Sequence, residues 1–246
     1  MRQVVELSRT LPPAGELRDC VPGTSSELWR GEGSEIIGGP VISADSRSVA
    51  FSIRQHGKSL LYVMRADGAN PHVVARALRL QGAPAWSPGG LSIISAADGH
   101  GVPHLFRVPI SGGAPEPFIR EYSMDPQWSP DGRFLVYSGP DIGTKFPVKA
   151  VTASAKARPL TALTLTRGAR HLAFLSGGHE LMFLRGDIQH KNLWLIDLET
   201  GAERRFIDLP VDFDIADFDV SPDGHEIVLE RLQENSNVVL LDRAAP

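Results

Sequence analysis

The 246 residues carry a formal charge of -4, with 42% hydrophobic and 22% charged residues, 24 glycines and 19 prolines. Such a composition describes a turn-rich globular chain, neither disordered nor helical, and long enough to bury a substantial core. The balanced charge gives no basic footprint for nucleic acid, which needs clustered Lys and Arg, and the single cysteine, Cys20, excludes an intrachain disulfide or a Cys-rich zinc site.

Taken in chain order, residues 1–37 are irregular. Their start, "MRQVVELSRTLPPAG", lacks the apolar centre of a signal peptide, and no stretch approaches the ~20 apolar residues needed to span a bilayer. The chain as written is therefore expected in the cytoplasm, with no membrane span; a periplasmic place is the alternative if the chain is a fragment. Within "SSELWRGEGSEIIG" (25–38), Leu28 and Trp29 match Leu193 and Trp194 further on.

From residue 38 onward a unit recurs: "GPVISADSRSVAFS" (39–52), "APAWSPGGLSIISA" (83–96), "DPQWSPDGRFLVYS" (125–138), "HLAFLSGGHELMFL" (171–184) and "DFDVSPDGHEIVLE" (217–230). The large apolar residue before each turn is Ile42, Trp86, Trp128, Phe174 and Val220, at spacings of 44, 42, 46 and 46 by subtraction. A steady period of this size marks a repeat architecture. After each turn the apolar residues alternate with a period near two, the signature of a strand. A third strand follows in "SLLYVMR" (59–65), "PHLFRVP" (103–109), "PVKAV" (147–151), "NLWLIDL" (192–198) and "NVVLLD" (237–242), and a short fourth run in "HVV", "PFI" and "RRFI". The turn chemistry is explicit: Pro130 presets φ, Asp131 bonds nearby amides and Gly132 accepts a positive φ, roles that Pro222, Asp223 and Gly224 repeat. Ser129 and Ser221 are read as turn-bonding rather than catalytic. Trp86, Trp128 and Trp194 are read as packing between neighbouring sheets.

Four antiparallel strands per unit of 40-odd residues describe a β-propeller. The fold class is thus all-β, one domain, with units near 38–80, 81–122, 123–167, 168–212 and 213–246. Residues 1–37 contribute strands to a closing blade, which hides two sheet edges and gives six blades. A five-bladed ring or an excised partial propeller is the alternative.

The strings W-S-P-D-G-R (128–133), V-S-P-D-G-H (220–225) and W-S-P-G-G (86–90) make the chain resemble the bacterial TolB-like, WD40-like (PD40) propeller-repeat family over residues 38–242. In look it is closest to propeller domains that follow bacterial kinase or winged-helix regions. The resemblance implies fold more strongly than function, because the shared letters are mostly turn chemistry. Relatives include periplasmic TolB and the propellers of prolyl-oligopeptidase-type peptidases.

No G-x-S-x-G elbow, P-loop, H-E-x-x-H or complete G-x-G-x-x-G is present. A site would have to be assembled across blades, on the face where first strands begin and where second strands connect to third. The residues leading into the first strands are Gly39, Ala83, Asp125, His171 and Asp217; the connections carry His56, His100 and His190. Asp125, His171, Asp217, His56, His100 and His190 are the candidate partner-binding residues: carboxylates accept cationic groups and histidines titrate near neutrality. The competing explanation is that these loops are polar because they meet water. A His/Asp metal site lacks any short ligand spacing, and "VDFDIADFD" (211–219) lacks the spacing and later Glu of a calcium loop. The resulting expectation is a non-enzymatic module for a protein or peptide partner, without cofactor, monomeric and open to membership of a larger multidomain protein. The alternative is an enzyme or enzyme fragment, such as the propeller of a prolyl-oligopeptidase-like peptidase or a hydrolase with a cross-blade site.

Overall fold

A computed structural model describes residues 2–8, 16–19, 28–31, 33–99, 101–166, 171–186, 190–207, 209, 214–221 and 226–232. Of the features read from the sequence, His100, the Pro222-Asp223-Gly224 turn, residues 211–213 and the "NVVLLD" segment at 237–242 lie outside the described residues.

The described residues form five four-stranded antiparallel sheets. The first is β3 (Ser34–Ile42), β4 (Ser48–Gln55), β5 (Lys58–Arg65) and β6 (His72–Ala75). The second is β7 (Leu80–Trp86), β8 (Ser92–Gly99), β9 (Val102–Pro109) and β10 (Glu116–Pro117). β11 (Met124–Trp128), β12 (Phe134–Ser138), β13 (Lys145–Thr152) and β14 (Ala157–Thr166) make the third. β15 (Leu172–Phe174), β16 (Glu180–Gly186), β17 (Lys191–Asp197) and β18 (Glu203–Arg205) make the fourth. The last joins both ends of the chain, in the order β19 (Asp214–Val220), β20 (Glu226–Leu232), β1 (Arg2–Ser8) and β2 (Glu16–Asp19).

This is the propeller arrangement, with two corrections to the expected closure. The N-terminal strands do not build a sixth blade: β1 pairs with β20 from Arg2↔Leu232 to Ser8↔Glu226 and so takes the third place of the fifth sheet. Nor is the Leu28-Trp29 pair a third strand. Trp29 lies outside any strand and its ring rests on Phe51 and Tyr62 of the first sheet, at 5.1 and 5.8 Å. A local resemblance between two dipeptides does not specify hydrogen-bond partners, and strand pairing needs both an edge and a register.

The core lies between sheets rather than within them. Leu61 and Val63 meet Trp86 and Ile93; Ile94 and Leu105 meet Leu135 and Tyr137; Val136 and Phe146 meet Leu181 and Phe183; Leu184 and Leu195 meet Phe218 and Leu229. Trp86 is buried in the first of these layers, and its indole N–H donates to the carbonyl of Val41 in the preceding sheet at 3.1 Å. Trp128 and Trp194 pack half-buried against the next two layers, as large rings between twisted sheets should.

At one end of each of the first four blades sits the repeated turn. The Ser129 hydroxyl donates to Asp131 at 2.6 Å and accepts the Phe134 amide at 3.2 Å, while Asp131 accepts the Arg133 amide at 3.0 Å. Gly132 supplies the positive φ, 68°. The bond from Ser129, followed by that from the Arg133 amide, holds the Asp131 carboxyl down to about 2. In the first blade Ser43, Asp45 and Ser48 repeat the same bonds with Ser46 at φ 57° in place of glycine. These turns also touch their neighbours: a Cβ on Gly132 would lie 2.6 Å from the Pro88 ring of the preceding blade.

Candidate functional site

The opposite end of the blades is shaped by a bulge that recurs in the first strands. Register shifts fall between Gly38 and Val41 in β3, Gln81 and Ala85 in β7, Met124 and Gln127 in β11, and Ile215 and Asp217 in β19. In the first three, the interrupted residues include Pro40, Pro84 and Pro126. Proline has no N–H to give to the ladder, so the strand buckles there and pairing resumes beyond it. Because β3 contacts β7, β7 contacts β11, β11 contacts β15 and β15 contacts β19, the buckled segments line up side by side on the innermost strands.

Close approach follows. A Cβ on Gly38 would lie 2.1 Å from the carbonyl oxygen of Gly82, so the bulges of the first two blades touch backbone to backbone. Gly82 adopts φ 67°, and its missing side chain leaves room for Asp125, whose Oδ1 would be 3.0 Å from a Cβ there. Asp125 itself takes φ 50°, a left-handed conformation that Asp tolerates better than most residues. The partly buried Asp125 is thus wedged against the neighbouring blade.

The next pair of blades is joined by His171 and Asp217. Nδ1 of His171 stands 3.4 Å from Oδ1 of Asp217, and the imidazole meets the Phe218 ring edge-on at 4.9 Å. His171 is one-quarter exposed and Asp217 about half, at 25% and 53% of the side chain. The second ring nitrogen, Nε2 of His171, is buried and has no hydrogen-bond partner among the described residues. A carboxylate beside Nδ1 favours the proton there, which leaves Nε2 as an acceptor facing inward.

The two described histidines of the second-to-third connections differ. His56 is exposed and forms, with Gly57, the two-residue hairpin between β4 and β5; both have positive φ, 49° and 74°, the geometry that matches strand twist. His190 is half-buried. Its Nε2 lies 3.3 Å from Nδ2 of Asn192, whose Oδ1 accepts the Leu209 amide at 2.9 Å, so this connection is tied to the segment leading into β19. The amide donor makes Nε2 the acceptor and puts the proton on Nδ1, which is buried without a partner among the described residues.

Sequence reading missed two polar clusters at the same end. The Tyr137 hydroxyl donates to Glu121 at 2.7 Å, and Lys149 Nζ reaches both oxygens of Glu121 at 3.1 Å. The tyrosine bond, then Lys149, keeps the Glu121 carboxyl below its ordinary value, while burial and that carboxylate push the Tyr137 hydroxyl up. Asp98 accepts from Gln81 and stands 3.5 Å from Arg79. Neither cluster sits at a repeated position, so the repeat alignment carried no signal for it. Among the described residues no three His, Cys, Asp or Glu side chains gather as metal ligands, and no helix is long and apolar enough to cross a membrane.

Comparison with known proteins agrees on architecture. By structure the chain is similar to TolB of Acinetobacter baumannii, with a TM-score of 0.65 and 15% identity over 95% of this chain and 64% of that one. A TolB-type protein of Agrobacterium tumefaciens gives 0.63 and 18% over 94% and 78%. An oligogalacturonate lyase of Vibrio parahaemolyticus gives 0.60 and 12% over 89% and 70%. The chain thus spans less than two thirds of the Acinetobacter protein. No curated protein matches it in sequence. The family model for the TolB beta propeller domain, PD40, matches residues 30–218, and the chain belongs to that family.

Proposed function

We propose that the chain is a non-enzymatic binding module that recognises a protein or peptide partner across the rim where the buckled strands meet. Asp125, His171 and Asp217, from three consecutive blades, are its central contacts, with His56, His100 and His190 on the connections around them. The observation that carries this reading is the cross-blade His171–Asp217 pair, which leaves a buried acceptor, Nε2, without a donor among the described residues. Buried polar atoms are ordinarily satisfied, and a partner N–H or O–H would satisfy this one.

The same pair favours one alternative. A histidine oriented by a carboxylate is also the arrangement of a general base, and the structural neighbours include an oligogalacturonate lyase and prolyl endopeptidases. Selection of peptides from a random phage-displayed library on the immobilised chain separates the two. Peptides that bind the rim should bind the Asp125→Ala/His171→Ala/Asp217→Ala variant about tenfold or more weakly and be recovered intact. Equal binding by the variant would remove the rim site. Peptide or oligogalacturonate cleavage that His171→Ala abolishes would make the chain an enzyme.

A further inference from the structure

The outermost strands of the blades differ in length. β2, β6, β10 and β18 have 4, 4, 2 and 3 residues, whereas β14 has 10. A long free edge is a template for another strand, and proteins blunt such edges with short strands, charges, proline or bulges. The first half of β14 is blunted: it holds Arg158 and Pro159, and its register slips so that residues 159–162 face Lys149 alone. Its second half is not. Leu163↔Val148, Thr164↔Pro147, Leu165↔Phe146 and Thr166↔Lys145 pair regularly, and residues 160–166, "LTALTLT", carry no charge.

Among the described residues no hydrogen bond leads from β14 to anything except β13. In an antiparallel edge strand alternate residues turn N–H and C=O outward, so residues 162–166 present unfilled backbone donors and acceptors. One side of this edge is apolar. Leu163 and Leu165 are buried in the layer shared with Ile196 and Leu198, and Leu160 and Trp194 lie half-buried along its border. On the other side Ala162 and Thr164 are exposed.

We propose that the outer edge of β14 over residues 162–166 is a second docking surface, which takes an extended peptide segment of a partner protein as a fifth strand of the third blade. Backbone bonds supply the attachment, and an apolar side chain of the peptide settles over the half-buried Leu160, beside the Trp194 ring that Arg185 and Arg205 flank. An uncharged segment fits best, since residues 160–166 themselves carry no charge to match. A second copy of the chain fits less well. Pairing five residues with five buries only a few hundred Å² per partner, against the roughly 800 Å² per partner of stable associations.

The test uses the full chain and a random dodecapeptide phage library. Peptides that lose binding to Thr164→Lys are synthesised and titrated against the wild type, Thr164→Lys, Ala162→Lys and the triple rim variant. Both lysines replace exposed side chains. The proposal expects about tenfold or greater weakening by each lysine variant and none by the rim variant. Amides of residues 162–166 in the wild-type complex should gain protection from hydrogen exchange, a readout that needs no variant, and N-methylation of alternate peptide residues should abolish binding. It is overturned if no peptide is sensitive to either lysine, or if N-methylated peptides bind equally. Concentration-dependent dimerisation of the wild type that Thr164→Lys abolishes would also overturn it, in favour of a second copy.

Discussion

The two ends of the third and fourth blades use polar side chains in opposite ways. Ser129, at the turn end, is almost fully buried, donates to Asp131 and accepts from Phe134 within five residues of itself. His171, at the rim end, faces a carboxylate from the next blade, 46 residues away, and keeps a buried nitrogen without a partner among the described residues. A turn can satisfy its own groups because all its partners are local. A rim side chain depends on how two separate sheets are set against each other.

That contrast can be broken most forcefully at the adjacent glycines of β3. Gly38→Ala drives a Cβ into the Gly82 backbone and should destabilise the fold by at least about 2 kcal/mol, whereas Gly39→Ala meets open space and should cost about 0.5 kcal/mol or less, both read by denaturant unfolding. Next come the inter-blade indoles. Trp86→Phe loses the bond to Val41 and should cost about 1 kcal/mol more than Trp128→Phe, because the buried Trp128 N–H has no partner to lose among the described residues.

At the turn, Ser129→Ala should cost about 1 kcal/mol in the same assay. It should also change the acid limb of stability. Asp131 titrates at about 2 in the fold, below its unfolded value. Its contribution is therefore complete above about pH 4 and lost as pH falls towards about pH 2, and removing Ser129 should shrink that loss. The smallest effect on stability belongs to Asp217→Ala, expected within about 1 kcal/mol for a half-exposed pair, even as it weakens rim-selected peptides. A large loss of stability there would make the pair structural and sharpen the contrast in the other direction.

Much of the fold was legible before any coordinate. The period placed Trp86, Trp128 and Trp194 between sheets, and the Ser-Pro-Asp-Gly letters predicted the bonds now seen around Ser129. Aligning the leading residues also put Asp125, His171 and Asp217 on one rim. It did not show that His171 meets Asp217 while Asp125 meets Gly82, since alignment equates positions and is silent on distances between blades. His56 illustrates the limit: its loop suggested a contact residue, and its positive φ shows a hairpin position that His and Gly fill for conformational reasons.

What the sequence determined by itself was the local grammar: strand period and turn type. All of it acts within a few residues and needs no knowledge of the rest of the chain. Only the tertiary structure decided which strands complete the fifth sheet, where β1 rather than a continuation of the repeat lies beside β20. It alone decided which rim groups touch and which outer strand, β14, is left with a long open edge. Those outcomes depend on the accumulated twist and packing of whole sheets, to which distant segments contribute jointly.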